Sequence, residues 1–301
     1  MHHIIVNPVA GRGRTMQYHS QICEALSQRG ISYTSHITAK IRDAYHLAKQ
    51  ACLQQAAGII GIGGDGTIQE IVAGMVDAFP HGNKIPTPLG IFPGGSGNDF
   101  VSTLENAKHK KTISISHFAN TIAKRSLRTV DIITANGEAF LNIGNIGIDA
   151  KIVESAAALK PKFGGQAYLA AVYRCIVRHK NILATITVDG QPHTQEVTLV
   201  AVCNGQYYGG GLHIAPGAKI NDGKITLCII DRLSRPKLML LFPSLLIKKH
   251  VQLREVNFVE CTEVVLSVPQ GTGALCLDGN LYPIEKNIVF KILPNVLDVF
   301  I

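Results

Sequence analysis

The stretch AAGIIGIGGDGTIQEIVAGM, residues 56–75, leaves the chain little choice of fold. Its first half is a continuous apolar run of strand length, the mark of a strand covered on both faces. The run breaks at GIGGDGT (61–67), four glycines around one acid, and resumes as TIQEIVAGMVDAF with apolar residues at helical spacing. A buried strand that turns through glycine into a helix is half of a βαβ unit, the building block of a parallel sheet. The same order recurs over residues 1–100. HHIIVNPVAG reads as strand and loop, TMQYHSQICEALSQRG as a helix closed at Gly30, and ISYTSHIT as a strand. RDAYHLAKQACLQQ follows as a helix and TPLGIFPGG as a strand. The alternation predicts a doubly wound, mostly parallel α/β domain with its ligand cleft at the carboxyl ends of the strands.

After residue 130 the texture changes. TVDIITANGEAFLNIGNIGIDA reads as short strands with an ANG hairpin, and ATITVDGQPHTQEVTLVAVCNG as two strands around DGQ. GKITLCIID, EVVLSVP, ALCLDGN and NIVFKIL continue an antiparallel β-rich domain, with the helical QAYLAAVYRCIV (166–177) laid across it. A chain of 301 residues exceeds one typical core. The expected division is 1–129 and 130–287, with the last strand, 288–301, free to return to the first unit.

Composition narrows the function classes. The longest apolar run, LMLLFPSLLI at 238–247, is broken by Pro243 and falls short of the ~20 residues of a spanning helix. Seven cysteines without a CxxC pair argue against a disulfide framework or zinc site. With no leader-like run before HHIIVN, they point to a reducing, cytoplasmic setting. The net charge of +8 favours anionic partners, and its clusters are KHKK (108–111), RHK (178–180) and KKH (248–250). Each cluster also reads as a solvated face. Trp is absent and aromatics are 6%, so nucleic acid is not an expected partner.

Three glycine-rich turns follow strands of the first domain: NPVAGRGR (7–14), GIGGDGT (61–67) and FPGGSGNDF (92–100). Glycine lets backbone approach a phosphate and lets N–H groups converge on it, and a helix N-terminus adds positive potential. Arg12 and Arg14 add charge from the first turn. No GK[ST] follows any of them, which excludes a Walker loop, and no complete GxGxxG follows the first strand, which weakens a hydride-transfer reading. Asp65 within such a turn would repel a phosphate, unless it orients a metal–phosphate group or a hydroxyl nucleophile. The alternative is a cap or turn residue.

Taken in order, NPVAGRG, GGDGTIQE and GIFPGGSGNDF resemble the diacylglycerol kinase catalytic domain. The whole chain resembles bacterial soluble lipid kinases of the diacylglycerol and sphingosine kinase-like group, through VDIITANGEAFLNIGNIGIDAKIV, CNGQYYGGGLHIAPGAKINDGKITLCII and LDGNLYP. The resemblance implies an N-terminal nucleotide domain, a C-terminal antiparallel β-sandwich and a cleft between them. It implies ATP and Mg²⁺ as cofactors. The nucleotide contacts it implies are Asn7, Gly11, Thr38, Gly63, Gly64, Asp65, Gly66, Thr67, Glu70, Gly95, Ser96, Asn98 and Asp99. It implies a magnesium loop in AKINDGK through Lys219, Asp222 and Lys224, the lysines giving backbone carbonyls; an ordinary turn is the alternative.

The family's proposed base is the Glu of a DGE motif, which here reads Asp278–Gly279–Asn280. An amide cannot accept the hydroxyl proton as a carboxylate can. If 278–280 is extended, Asp278 shares a face with Asn280 and reaches the same space. Alternatively, Asp65 orients the hydroxyl without a strong base. Asp65, Asp278 and Asn280 are therefore the catalytic candidates, and Asn280→Glu is expected to raise the rate. The segment 236–250 is apolar with a basic end, suited to an anionic membrane surface; a buried helix pair broken at Pro243 is the alternative. His213, beside YYGGG, is a candidate cleft residue, while Cys203 and Cys228 read as core.

The leading reading is an ATP-dependent kinase acting on a lipid hydroxyl such as that of diacylglycerol. A nucleotide- or lipid-binding homologue with weak catalysis is the alternative that DGN supports. NAD kinase shares GGDG but lacks a GSTAY-like counterpart here. The lipid's identity and the oligomeric state stay open, a homodimer included.

Overall fold

The computed structural model describes residues 1–80, 82–104, 113–163, 167–246, 248–269 and 273–301. The KHKK cluster lies outside them. Strands β1 (His2–Val6), β2 (Tyr33–Ile37), β3 (Gly58–Gly63) and β4 (Leu89–Pro93) pair in parallel, in the order β2-β1-β3-β4. Helices α1 (Arg14–Ser27), α2 (Asp43–Leu53), α3 (Asp65–Ala78), α4 (Asp99–Leu104) and α5 (Ile115–Lys124) belong to the same half. Side chains alternate across a strand, so neighbours in β1 serve opposite cores. Ile4 and Val6 pack with Phe92 beneath α1 and α5, whereas Ile5 packs with Ile59 and Ile91 beneath α2 and α3. Burial on both faces explains the unbroken apolar runs, and the expected doubly wound half is present.

The second half holds β5 (Leu127–Ala135), β6 (Glu138–Phe140), β7 (Ile143–Gly147), β8 (Ile182–Val188) and β9 (Gln191–Cys203). The short β10 (Tyr207–Tyr208) and β11 (Leu212–His213) form a separate pair. Then come β12 (Ile225–Asp231), β13 (Val256–Cys261), β14 (Glu263–Ser267), β15 (Ala274–Leu277), β16 (Asn280–Pro283) and β17 (Asn287–Phe300). Helices α6 (Ile148–Phe163), α7 (Ala167–Val177) and α8 (Arg235–Leu246) complete it. Both predicted hairpins form. Asn136 and Gly137 (φ 48° and 89°), and Asp189 and Gly190 (44° and 88°), take the left-handed values a two-residue hairpin turn requires. Inside the sandwich, Phe140 and Phe290 meet edge to face at 6.3 Å. Outside it, buried residues of α6, α7 and α8 cover Cys203, Cys228 and Ile230.

Strand β17 joins the halves. It pairs antiparallel with β14 and β5, and its Val299 pairs in parallel with Leu89 of β4. The described strands thereby form one 15-stranded sheet, apart from the β10–β11 pair.

Four readings change. The strand texture read through Ala150 stops at Gly147, and residues 148–163 form a helix. Helix α8 is one helix with Pro243 inside it, not a broken pair. Residues 278–279 are not extended: Asp278 (φ 45°) and Gly279 (92°) make the tight turn between β15 and β16. His213 is buried, stacked on Tyr207 at 4.4 Å and bonded to Gln206, and it does not line the cleft.

Candidate active site

The three glycine turns stack on one another at the carboxyl ends of the parallel strands. Gly94 N donates to Gly63 O at 2.8 Å. A Cβ on Gly95 would lie 2.4 Å from Gly64 Cα, and one on Gly11 2.1 Å from Gly94 O. Asn7 Nδ2 donates to Thr67 Oγ1 at 3.0 Å, tying the first turn to the second. Asn98, in a left-handed conformation (φ 58°), bonds both the N–H and the carbonyl of Gly95. The glycines are therefore demanded first by each other's backbones. Thr38 closes β2 through its N–H to Val6 O, and Glu70 accepts the Arg42 N–H at 3.0 Å, so both stand beside this stack. Arg14 turns back onto Gly11 O.

Asp65 opens α3 but serves the next helix. Its Oδ2 accepts from Asn98 N and its Oδ1 from Asp99 N, each at 2.7 Å, so it caps α4. Burial pushes its carboxyl above the ordinary range, while those N–H groups pull the other way. Capping and facing the cleft coincide in one side chain. Asp65, Ser96, Gly97 and Asp99 from the first half line a cleft of about 460 Å³ with Asn142, Asp149, Tyr208 and Asp278 from the second. Asp99 crosses it, its Oδ2 accepting Gly210 N at 2.9 Å.

Asp278 faces Asp65 from the β15–β16 turn. Its oxygens accept from Leu141 N (2.9 Å), Asn142 N (3.2 Å) and Ile143 N (2.8 Å). Burial above all, and then the Asp65 charge, raises its carboxyl. Asn280 points elsewhere. Its Nδ2 donates to Gly66 O (3.0 Å) and to Gln69 Oε1 (2.7 Å), latching the hairpin onto the first turns of α3. Tyr282 donates to Gln69 Oε1 or to Glu138, which also accepts from Arg42.

Among the described residues, no three His, Cys, Asp or Glu side chains gather into a cation cage. Lys219, Asp222 and Lys224 line no part of the cleft. Asp222 Oδ1 accepts Lys224 N, Lys224 Nζ pairs with Glu260, and Gly223 N donates to the buried Asp131. The loop offers one carboxylate and backbone carbonyls, an oxygen-only set that suits a hard cation away from the cleft.

The sequence reading missed Asp149, Tyr208 and Asn142. A signal for Asp149 existed: IGNIGIDA repeats the grammar of GIGGDGT, a glycine-bearing buried strand, then an acid at a helix start.

Residues 2–135 match the family model described as diacylglycerol kinase catalytic domain, and 143–301 the YegS C-terminal NAD kinase beta sandwich-like domain. A diacylglycerol kinase of Bacillus subtilis (strain 168) is 29% identical over 277 residues, spanning 92% of this chain and 88% of its own. A diacylglycerol kinase of Mycobacterium tuberculosis (strain H37Rv) is 26% identical over 270 residues, spanning 88% and 84%. A Bacillus anthracis str. Sterne structure provisionally named as a diacylglycerol kinase superposes with a TM-score of 0.79 at 26% identity, covering 99% of this chain and 96% of that one.

Proposed function

This chain belongs to the diacylglycerol kinase-like lipid kinase family, and from that premise we propose that it transfers the γ-phosphoryl group of Mg-ATP to a lipid hydroxyl, diacylglycerol foremost. The observation that carries the reading is the shared cleft, whose wall joins the GGDG turn to second-half loops. Phosphoryl transfer asks mainly for positioning and charge neutralisation. The stacked turns hold the nucleotide: Asn7, Gly11, Thr38, Gly63 to Thr67, Glu70, Gly95, Ser96, Asn98 and Asp99 form its cradle. The N-terminus of α3 faces its phosphates. Mg²⁺, when bound with ATP, neutralises phosphate charge. Asp65 keeps the second and third turns in register and orients the incoming hydroxyl, with Asp278 bracing the opposite wall. Asp222 and the backbone carbonyls of Lys219 and Lys224 would hold a second cation, which would fix the turn.

The division of labour we propose is a nucleotide unit, 1–129, and a lipid unit, 130–287, with 288–301 returning to the first. Its support is that β17 borders both β14 and β4. Among the described residues no helix is long and apolar enough to cross a membrane. Cytoplasmic residence with peripheral contact fits helices α7 and α8. Helix α7 exposes Tyr173 (66%) and α8 exposes Leu240 (72%); exposed Arg178 follows α7 in sequence, and exposed Lys248 and Lys249 follow α8.

Radiolabelled ATP, presented with diacylglycerol, phosphatidylglycerol, sphingoid and prenol lipids in mixed micelles, tests the reading. Label in diacylglycerol is the expected result. ATP binding by calorimetry with no labelled lipid anywhere would leave a binding protein instead, the reading that the latched Asn280 favours.

A further inference from the structure

Four acids line the cleft, and their oxygens are not equally engaged. Asp65 has both oxygens on backbone N–H groups of α4's start. Asp278 has both on the N–H groups of residues 141–143. Asp99 holds Gly210 across the cleft. Asp149, the second residue of α6, is 4% exposed; the Tyr208 phenol engages its carboxyl, yet its Oδ2 has no hydrogen-bond partner. A buried, unpartnered carboxylate oxygen is costly, so its persistence in a cleft wall asks for a partner that arrives with a ligand. Asn280, where the family places its base, is committed to Gly66 and Gln69.

Resting on the lipid-kinase reading, we infer that Asp149 is the general base of this chain, accepting the proton of the acceptor hydroxyl at Oδ2. The lipid O–H bond breaks and its proton passes to Oδ2. The freed oxygen pair bonds the γ-phosphorus. The bond to the β–γ bridging oxygen breaks, and that pair leaves with ADP. The carboxyl returns its proton to water as products depart.

The surroundings suit the role. Burial pushes the Asp149 carboxyl up to about 7, with the Tyr208 phenol pulling it back, and a base near working pH transfers protons best. Besides Tyr208, the titratable groups coupled to it are Cys203, Cys228 and Cys276; Asp65, Asp99 and Asp278 share its cleft. Burial raises all three thiols, that of Cys276 to about 12, so they stay neutral in the relevant range.

The test uses the full chain, Mg-ATP and diacylglycerol micelles at pH values on both sides of 7. Wild-type kcat should climb with pH, pass half its plateau near 7 and level off about one unit above it. Asp149→Asn should lose about 10²–10⁴-fold in kcat, keep its KM for ATP and lose the pH limb. Asp149→Glu should regain both in part. Tyr208→Phe, should Asp149→Asn not fold, moves the limb to higher pH. A folded Asp149→Asn with near wild-type kcat and the same limb would overturn the assignment, as would a Tyr208→Phe limb that stays in place. A wild type that phosphorylates no lipid would remove the kinase reading itself, and this assignment with it.

Discussion

A methyl group added at Gly95 would sit 2.4 Å from the Cα of Gly64, and the atom in the way is backbone, which cannot swing aside as a side chain can. Gly95→Ala should therefore cost about 1–3 kcal/mol by forcing the two turns apart. It should weaken ATP in calorimetry. Gly217→Ala is the control: nothing lies within 4 Å of its Cβ, so its melting curve should match wild type. A second residue-scale effect concerns pH. Asp149 titrates near 7 when folded against 3.8 ordinarily, so the folded state favours its neutral form. Its contribution to stability is complete below about 4 and is lost as pH rises through about 7. Asp149→Asn removes that loss. The melting temperature of the variant relative to wild type should climb from pH 5 toward pH 8, and a gap that stays flat would show the carboxyl ionised throughout.

At the scale of elements, the β15–β16 hairpin acts as a clasp on α3. Glutamate at position 280 would set carboxylate oxygens against Gly66 O and Gln69 Oε1, both acceptors in the present arrangement. The rate gain expected from the sequence motif thus gives way to another outcome. Asn280→Glu should lower stability by about 1–3 kcal/mol, the cost of losing a half-buried donor to the buried Gln69, with no gain in kcat. A denaturant titration beside the lipid assay checks both. Legibility in the sequence follows the same physics. The βαβ order was readable because strands buried on two faces must be apolar throughout. The hairpins were readable because asparagine or aspartate before glycine tolerates left-handed backbone. Helix α6 was hidden: it begins straight after β7 with no polar loop between them, so its first turn reads as strand. The stacking of the turns could not be read either, since glycine spacing says nothing about which backbones touch.

Across the whole molecule, charge is unevenly spread. Residues 232–254 hold six Lys or Arg (Arg232, Arg235, Lys237, Lys248, Lys249 and Arg254) and no Asp or Glu. Helix α8, packed against α7, presents Met239 and Leu240 beside them. Each such charge is worth about 1 kcal/mol at an anionic surface, so Lys248→Glu with Lys249→Glu should cut flotation with phosphatidylserine-containing vesicles tenfold or more. Flotation that ignores these charges and added salt would place the contact elsewhere. The return of β17 to β4 bears on biosynthesis as well. Every other described strand leaves the ribosome before it, yet β4 gains its remaining edge partner, and the two halves their common strand, only when residues 287–300 emerge. A chain cut before β17 keeps all three glycine turns but lacks the strand that borders both β4 and β14, so the scaffold that aligns those turns stays open.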